Sequence, residues 1–121
     1  MSDINKYIFA IGGGGFTHRK DKSLDNFILS IKNKEILKIG FLPTASKDNR
    51  KKTELFYERF QKTTHTLSHF ELLEKTNGFQ EWVLSNDIIY VGGGDTYFML
   101  EFWKKNNLTN IFNKAYSNGI L

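Results

Sequence analysis

Short continuous apolar runs alternate along this chain with stretches of helical spacing, and nearly every run stops at glycine, proline or a polar turn. The runs predict strands at residues 7–11 (YIFAI), 36–42 (ILKIGFL) and 87–91 (DIIYV). A fourth, at 66–72 (TLSHFEL), alternates more strictly and predicts an edge strand with one wet face. Between them the spacing predicts helices over 24–31, 53–61, 79–84, 97–104 and 108–117. Ser23, Asp95 or Thr96, and Asn107 stand where N-caps belong. Strands and helices in this order, joined by right-handed crossovers, predict one α/β domain over residues 1–121, a three-layer α/β/α sandwich on a mostly parallel sheet.

The last residues extend that pattern. Gly119 follows a helical stretch as a helix exit would, and Ile120-Leu121 has the character of a strand's first residues. A strand there should join the same sheet, and a terminal carboxylate beside an unfilled central position is expensive. The expectation is that these residues are the front portion of a larger domain.

Composition narrows the classes. The chain has 121 residues, 40% of them hydrophobic, enough for one core. Its formal charge of +4 is spread out apart from KDNRKK at 47–52 and Lys104-Lys105. Those fit solvated loops and helix ends, and no nucleic-acid partner is expected. With no cysteine there is no disulfide, thiolate metal site or cysteine nucleophile, as befits a reducing compartment. No apolar run is long enough for a bilayer, and the first residues lack a signal peptide's basic start and cleavage site. A cytoplasmic protein without membrane contact is expected. His18, His65 and His69 are isolated and expected to be exposed or to make structural hydrogen bonds. No metal or cofactor is indicated.

The glycine clusters carry the candidate chemistry. IGGGGF at 11–16 follows a strand but fails the dinucleotide spacing, since Thr17 and His18 stand where the third glycine is required. Neither cluster is followed by the lysine of a phosphate-binding loop. Each is either a simple chain reversal or a nest of unobstructed backbone amides suited to an anion or a developing oxyanion. Both clusters, and PTAS at 43–46, fall at carboxyl ends of strands, the edge where open α/β sheets bind ligands. In VGGGDT, a cap from Asp95 or Thr96 would hold the loop so that the Gly93 and Gly94 amides point outward. Gly92, Gly93 and Gly94 are therefore the candidate oxyanion hole, with Gly13, Gly14, Thr44, Ser46, Asp95 and Thr96 on the pocket rim. Phe98, Met99, Phe102 and Trp103 have the spacing of core residues, and Glu54 with Glu58 that of a wet helix face.

AIGGGGF, FLPTAS, IIYVGGGDT and KAYSNGIL, in this order, resemble the peptidase E family of serine-type aspartyl dipeptidases and their bacterial homologues. The resemblance covers essentially the whole chain. It implies a flavodoxin-like fold of the class I glutamine amidotransferase type, with hydrolysis of short peptides through an acyl-enzyme. It also implies that a strand and a nucleophile elbow of the form A-G-x-S-A-G come next, then a His and an acidic residue. The loop matching Gly92, Gly93 and Gly94 would supply an oxyanion-hole amide. Asp95 departs from the Asn common at its position, adding a negative charge near the hole unless capping engages it. No G-x-S-x-G occurs in the 121 residues. The expectation is a front half without catalytic Ser, His or acid, inactive alone, whose substrate when completed is a short peptide. The alternative is a non-catalytic half or remnant that self-associates or needs a partner chain to complete its sheet.

Overall fold

The computed structural model describes residues 8, 23–32, 34–61 and 63–120. Of the first expected strand only Ile8 is among them, and the glycines at 12–15, His18 and Leu121 lie outside. Three strands, β1 (Lys38–Leu42), β2 (Thr66–His69) and β3 (Ile88–Val91), form an all-parallel sheet in the order β2-β1-β3. Five α-helices accompany them among the described residues: α1 (Ser23–Ile31), α2 (Arg50–Phe60), α3 (Phe79–Ser85), α4 (Thr96–Lys105) and α5 (Thr109–Ser117). A 3-10 turn, Thr44–Ser46, follows β1.

Alternation along the strands sorts the core into two layers. Ile39 pairs with Leu67 and Ile88, and Phe41 with His69 and Tyr90, so these side chains share one face. That face packs on Ile28 of α1 and on Phe56 and Phe60 of α2, with the Phe41 and Phe56 rings stacked at 5.1 Å. On the other face, Leu42 and Ile89 meet Phe79 and Val83 of α3 and Phe112 and Ala115 of α5. The result is the expected three-layer α/β sandwich of flavodoxin-like type. Gly40 lets α3 approach closely, because a Cβ there would sit 2.7 Å from Trp82 Cζ2. No helix among the described residues is long and apolar enough to cross a membrane.

One polar network lies inside the first layer. Arg59 Nη1 reaches Asp25 Oδ2 at 3.0 Å, and the Tyr90 hydroxyl donates to Asp25 Oδ1 at 3.2 Å, joining α1, α2 and β3. Burial, then the adjacent Asp25 charge, pushes the Tyr90 hydroxyl well above its ordinary range. Arg59 and Tyr90 lie 34 and 65 positions from Asp25, so no local spacing marks this network in the sequence.

The boundaries differ from expectation where capping decides them. α2 starts at Arg50, ahead of the predicted residue 53, because the Asn49 side chain accepts from Lys52 N at 3.1 Å. β2 ends at His69 rather than 72; Phe70 N still donates to Phe41 O, and the chain then turns. Asn107 is not the cap of α5. It is left-handed, with φ 58°, and its N–H donates to Lys104 O while Leu108 N–H donates to Trp103 O. That pair of bonds is a Schellman closure, so Asn107 ends α4 instead of starting α5. Gly119 ends α5 as expected, its N–H donating to Tyr116 O and the Ile120 N–H to Ala115 O.

Candidate functional site at the carboxyl edge of the sheet

The loop after β1 is folded on a single carbonyl. Pro43 O accepts from Ser46 N (3.1 Å), Ser46 Oγ (2.9 Å) and Asp48 N (3.0 Å). This tight reversal places both Lys47 and Asp48 in the left-handed region, at φ 57° and 58°, which non-glycine residues occupy only when their surroundings hold them. Contacts on both flanks do so. Toward β2, Asp48 Oδ2 accepts from Leu73 N at 2.8 Å. Toward α4, Lys47 Nζ lies 5.2 Å from the centroid of the Phe98 ring.

The loop after β3 is bound to the same reversal. Gly92 N donates to Leu42 O at 3.0 Å, continuing the β1–β3 ladder by one bond, and Asp95 N donates to Ala45 O at 2.6 Å. Gly94 between them has φ 149°, and a Cβ there would run into the Ala45 carbonyl, so only glycine fits this approach. Asp95 Oδ1 accepts from Phe98 N at 2.9 Å and caps α4. Its charge is thus engaged at a helix N-terminus, where a carboxylate is favourable. Lys52 Nζ, from the first turn of α2, donates to Gly93 O at 3.0 Å. Among the described residues the Gly93 and Gly94 amides have no acceptor, and both glycines are exposed. The arrangement is a rigid, glycine-lined nest able to donate to an anion.

The expected residues separate accordingly. Gly93, Gly94, Asp95 and Thr96 come together at this edge. Gly92 is a correction: its amide is occupied by Leu42 O, so it shapes the loop but is not a free donor. Thr44 is fully buried beneath the loop rather than on a rim, and its Oγ1 has no partner among the described residues. Ser46 caps its own turn through Pro43 O and also accepts from Asn49 N at 3.4 Å. Gly13 and Gly14 lie outside the described residues. Lys52 and Asp48 were not picked out as site residues, because in sequence they belong to a basic run that looks like solvated surface.

Polar side chains on the β2 flank are committed to each other. Tyr57 OH and His69 Nδ1 are 2.7 Å apart, and His69 Nε2 lies 3.4 Å from Glu71 Oε2. Burial, then the Glu71 charge, pushes the Tyr57 hydroxyl above its ordinary value. Burial also raises Asp48, outweighing the Leu73 N–H that lowers it. Among the described residues no group of three His, Cys, Asp or Glu side chains could hold a metal ion.

The family model for peptidase family S51 matches residues 8–121. An uncharacterized peptidase, YgaJ, of Bacillus subtilis (strain 168) is 40% identical over 118 residues, covering 96% of this chain and 51% of that protein. The chain thus spans about half the length of the curated relative it matches. No solved structure matches it.

Proposed function

Because this chain belongs to peptidase family S51, the peptidase E family, we propose that it forms the front half of a serine peptidase acting on short peptides. In this reading Gly93 and Gly94 supply the oxyanion-hole donors, and the nucleophile follows residue 121 in an A-G-x-S-A-G elbow. A serine there attacks the scissile carbonyl, its proton passing to a histidine. The Gly93 and Gly94 N–H groups then receive the negative charge on the former carbonyl oxygen. Collapse releases the amine, which takes the proton, and water hydrolyses the acyl-enzyme. One donor of this kind accounts for a factor of about 10²–10³ in kcat.

The observation that carries the proposal is the pair of amides with no acceptor among the described residues, held at the carboxyl edge by backbone bonds to the β1 loop and by the Asp95 cap. Exposed apolar side chains also support it. Val91, Tyr97 and Leu100 are 45%, 75% and 51% exposed, and a second half continuing the sheet would cover them. Alone, the 121 residues contain no G-x-S-x-G and would not turn over substrate.

The test is to translate the DNA downstream of the Leu121 codon in all three frames, and to express any frame encoding an A-G-x-S-A-G elbow joined to this sequence. Hydrolysis of an aspartyl dipeptide, lost when the elbow serine becomes alanine, supports the proposal. Absence of any such elbow, or an expressed protein indifferent to that serine, overturns it.

A further inference from the structure

The hydrogen bond from Lys52 to the Gly93 carbonyl has a consequence beyond anchoring a loop. The peptide unit joining Gly93 to Gly94 is trans and planar, so its C=O and N–H point in opposite directions. Both torsions that would rotate it belong to glycines, the residues that resist such rotation least. Rotation would replace the Gly94 donor with the Gly93 carbonyl, an acceptor that repels an oxyanion. The flanking bonds do not prevent this: Gly92 N to Leu42 O fixes the Val91–Gly92 unit and Asp95 N to Ala45 O the Gly94–Asp95 unit, and neither reaches the Gly93–Gly94 unit. The Lys52 ammonium, 3.0 Å from Gly93 O, is the side-chain contact that holds the intervening unit.

We propose that Lys52 is a positioning residue of the oxyanion loop: by holding the Gly93 carbonyl toward α2 it keeps the Gly94 N–H turned outward as a donor. Lys52 itself is placed firmly. Its own backbone N–H donates to the Asn49 cap, so the lysine sits at a fixed point of the first turn of α2. The basic run at 47–52 thus contains two residues turned onto the glycine loop and its helix, Lys52 on Gly93 and Lys47 on Phe98. The inference concerns peptide orientation in this chain, and its catalytic meaning rests on the peptidase proposal above.

The test is selective ¹⁵N-glycine labelling of the 121-residue chain, which holds 10 glycines and so gives a sparse amide spectrum. In Lys52→Met, the Gly93 and Gly94 amide resonances should shift or broaden through conformational exchange while those of Gly40, Gly78 and Gly119 stay in place. Lys52→Arg, which keeps a cationic donor, should restore the wild-type positions, a rescue that a mere packing role would not produce. Unmoved Gly93 and Gly94 resonances in Lys52→Met, or failure of Lys52→Arg to restore them, overturns the inference. Should Lys52→Met disturb all the glycines, the milder Lys52→Gln decides by the same criterion. The experiment contains no catalytic readout, so a negative result removes the role of Lys52 and leaves the peptidase proposal standing. A peptidase assay that fails leaves the orientation result untouched.

Discussion

The two edges of the sheet treat their backbone donors in opposite ways. At the amino edge, donors are closed by partners chosen for the purpose. Leu37 N donates to His65 Nδ1 at 3.0 Å, Lys38 N to Asp87 Oδ2 at 2.8 Å, Thr66 N to Leu37 O at 2.8 Å and Asp87 N to Lys38 O at 2.8 Å. At the carboxyl edge the chain is held just as tightly, but two glycine amides have no acceptor among the described residues. An edge that only terminates strands satisfies its donors, whereas one prepared for an anion leaves some open in a fixed direction.

The sharpest way to break this contrast is at Gly94. Gly94→Ala must accept a φ that L-residues avoid and push its Cβ into the Ala45 carbonyl, so it should destabilise the fold by ~3 kcal/mol in urea unfolding. Gly93→Ala meets nothing within 4 Å and should stay within ~0.5 kcal/mol of wild type, as surface changes usually do. Equal effects of the two would remove the claim that the loop is built around Gly94. At the amino edge, His65→Ala leaves the N–H of buried Leu37 without its partner and should cost ~1–2 kcal/mol by the same measurement.

The smallest effect, at Asp87, has a distinctive pH dependence. Burial raises this carboxyl, but the Lys38 N–H and the Lys34 ammonium outweigh it and hold the group below its ordinary value. A depressed folded-state pKa means that the ionised form stabilises the protein above the unfolded value near ~4, a contribution lost as pH falls through the folded value. Asp87→Asn should therefore lower stability by ~0.5–1 kcal/mol at neutral pH. Its deficit should close as acid protonates the wild-type carboxyl. A deficit independent of pH would show that packing, not charge, closes this edge.

Much of the architecture was legible because it follows from local pattern. Apolar runs ending on glycine or proline mark β1 and β3, and the stricter alternation of residues 66–72 marks β2, which lies at one end of the described sheet. A cap of α4 at Asp95 or Thr96 was legible for the same reason, short polar side chains before a helical stretch having few other uses, and the structure selects Asp95. Residues whose roles depend on distant partners were not. Asp25 and Arg59 are 34 positions apart, and Lys52 lies 41 from Gly93. Asn107 misled because asparagine suits both a helix start and a left-handed helix end, and only the Schellman bonds distinguish them. Gly92 was credited with a free amide because the ladder bond to Leu42 has no signature in sequence.

In the proposed reading these residues build the anion-binding loop of a peptidase whose nucleophile lies elsewhere. The most direct test is the initial rate of aspartyl dipeptide hydrolysis by the pure 121-residue chain. No turnover above the buffer rate is expected. Turnover by this chain would place a nucleophile within these 121 residues and contradict that reading.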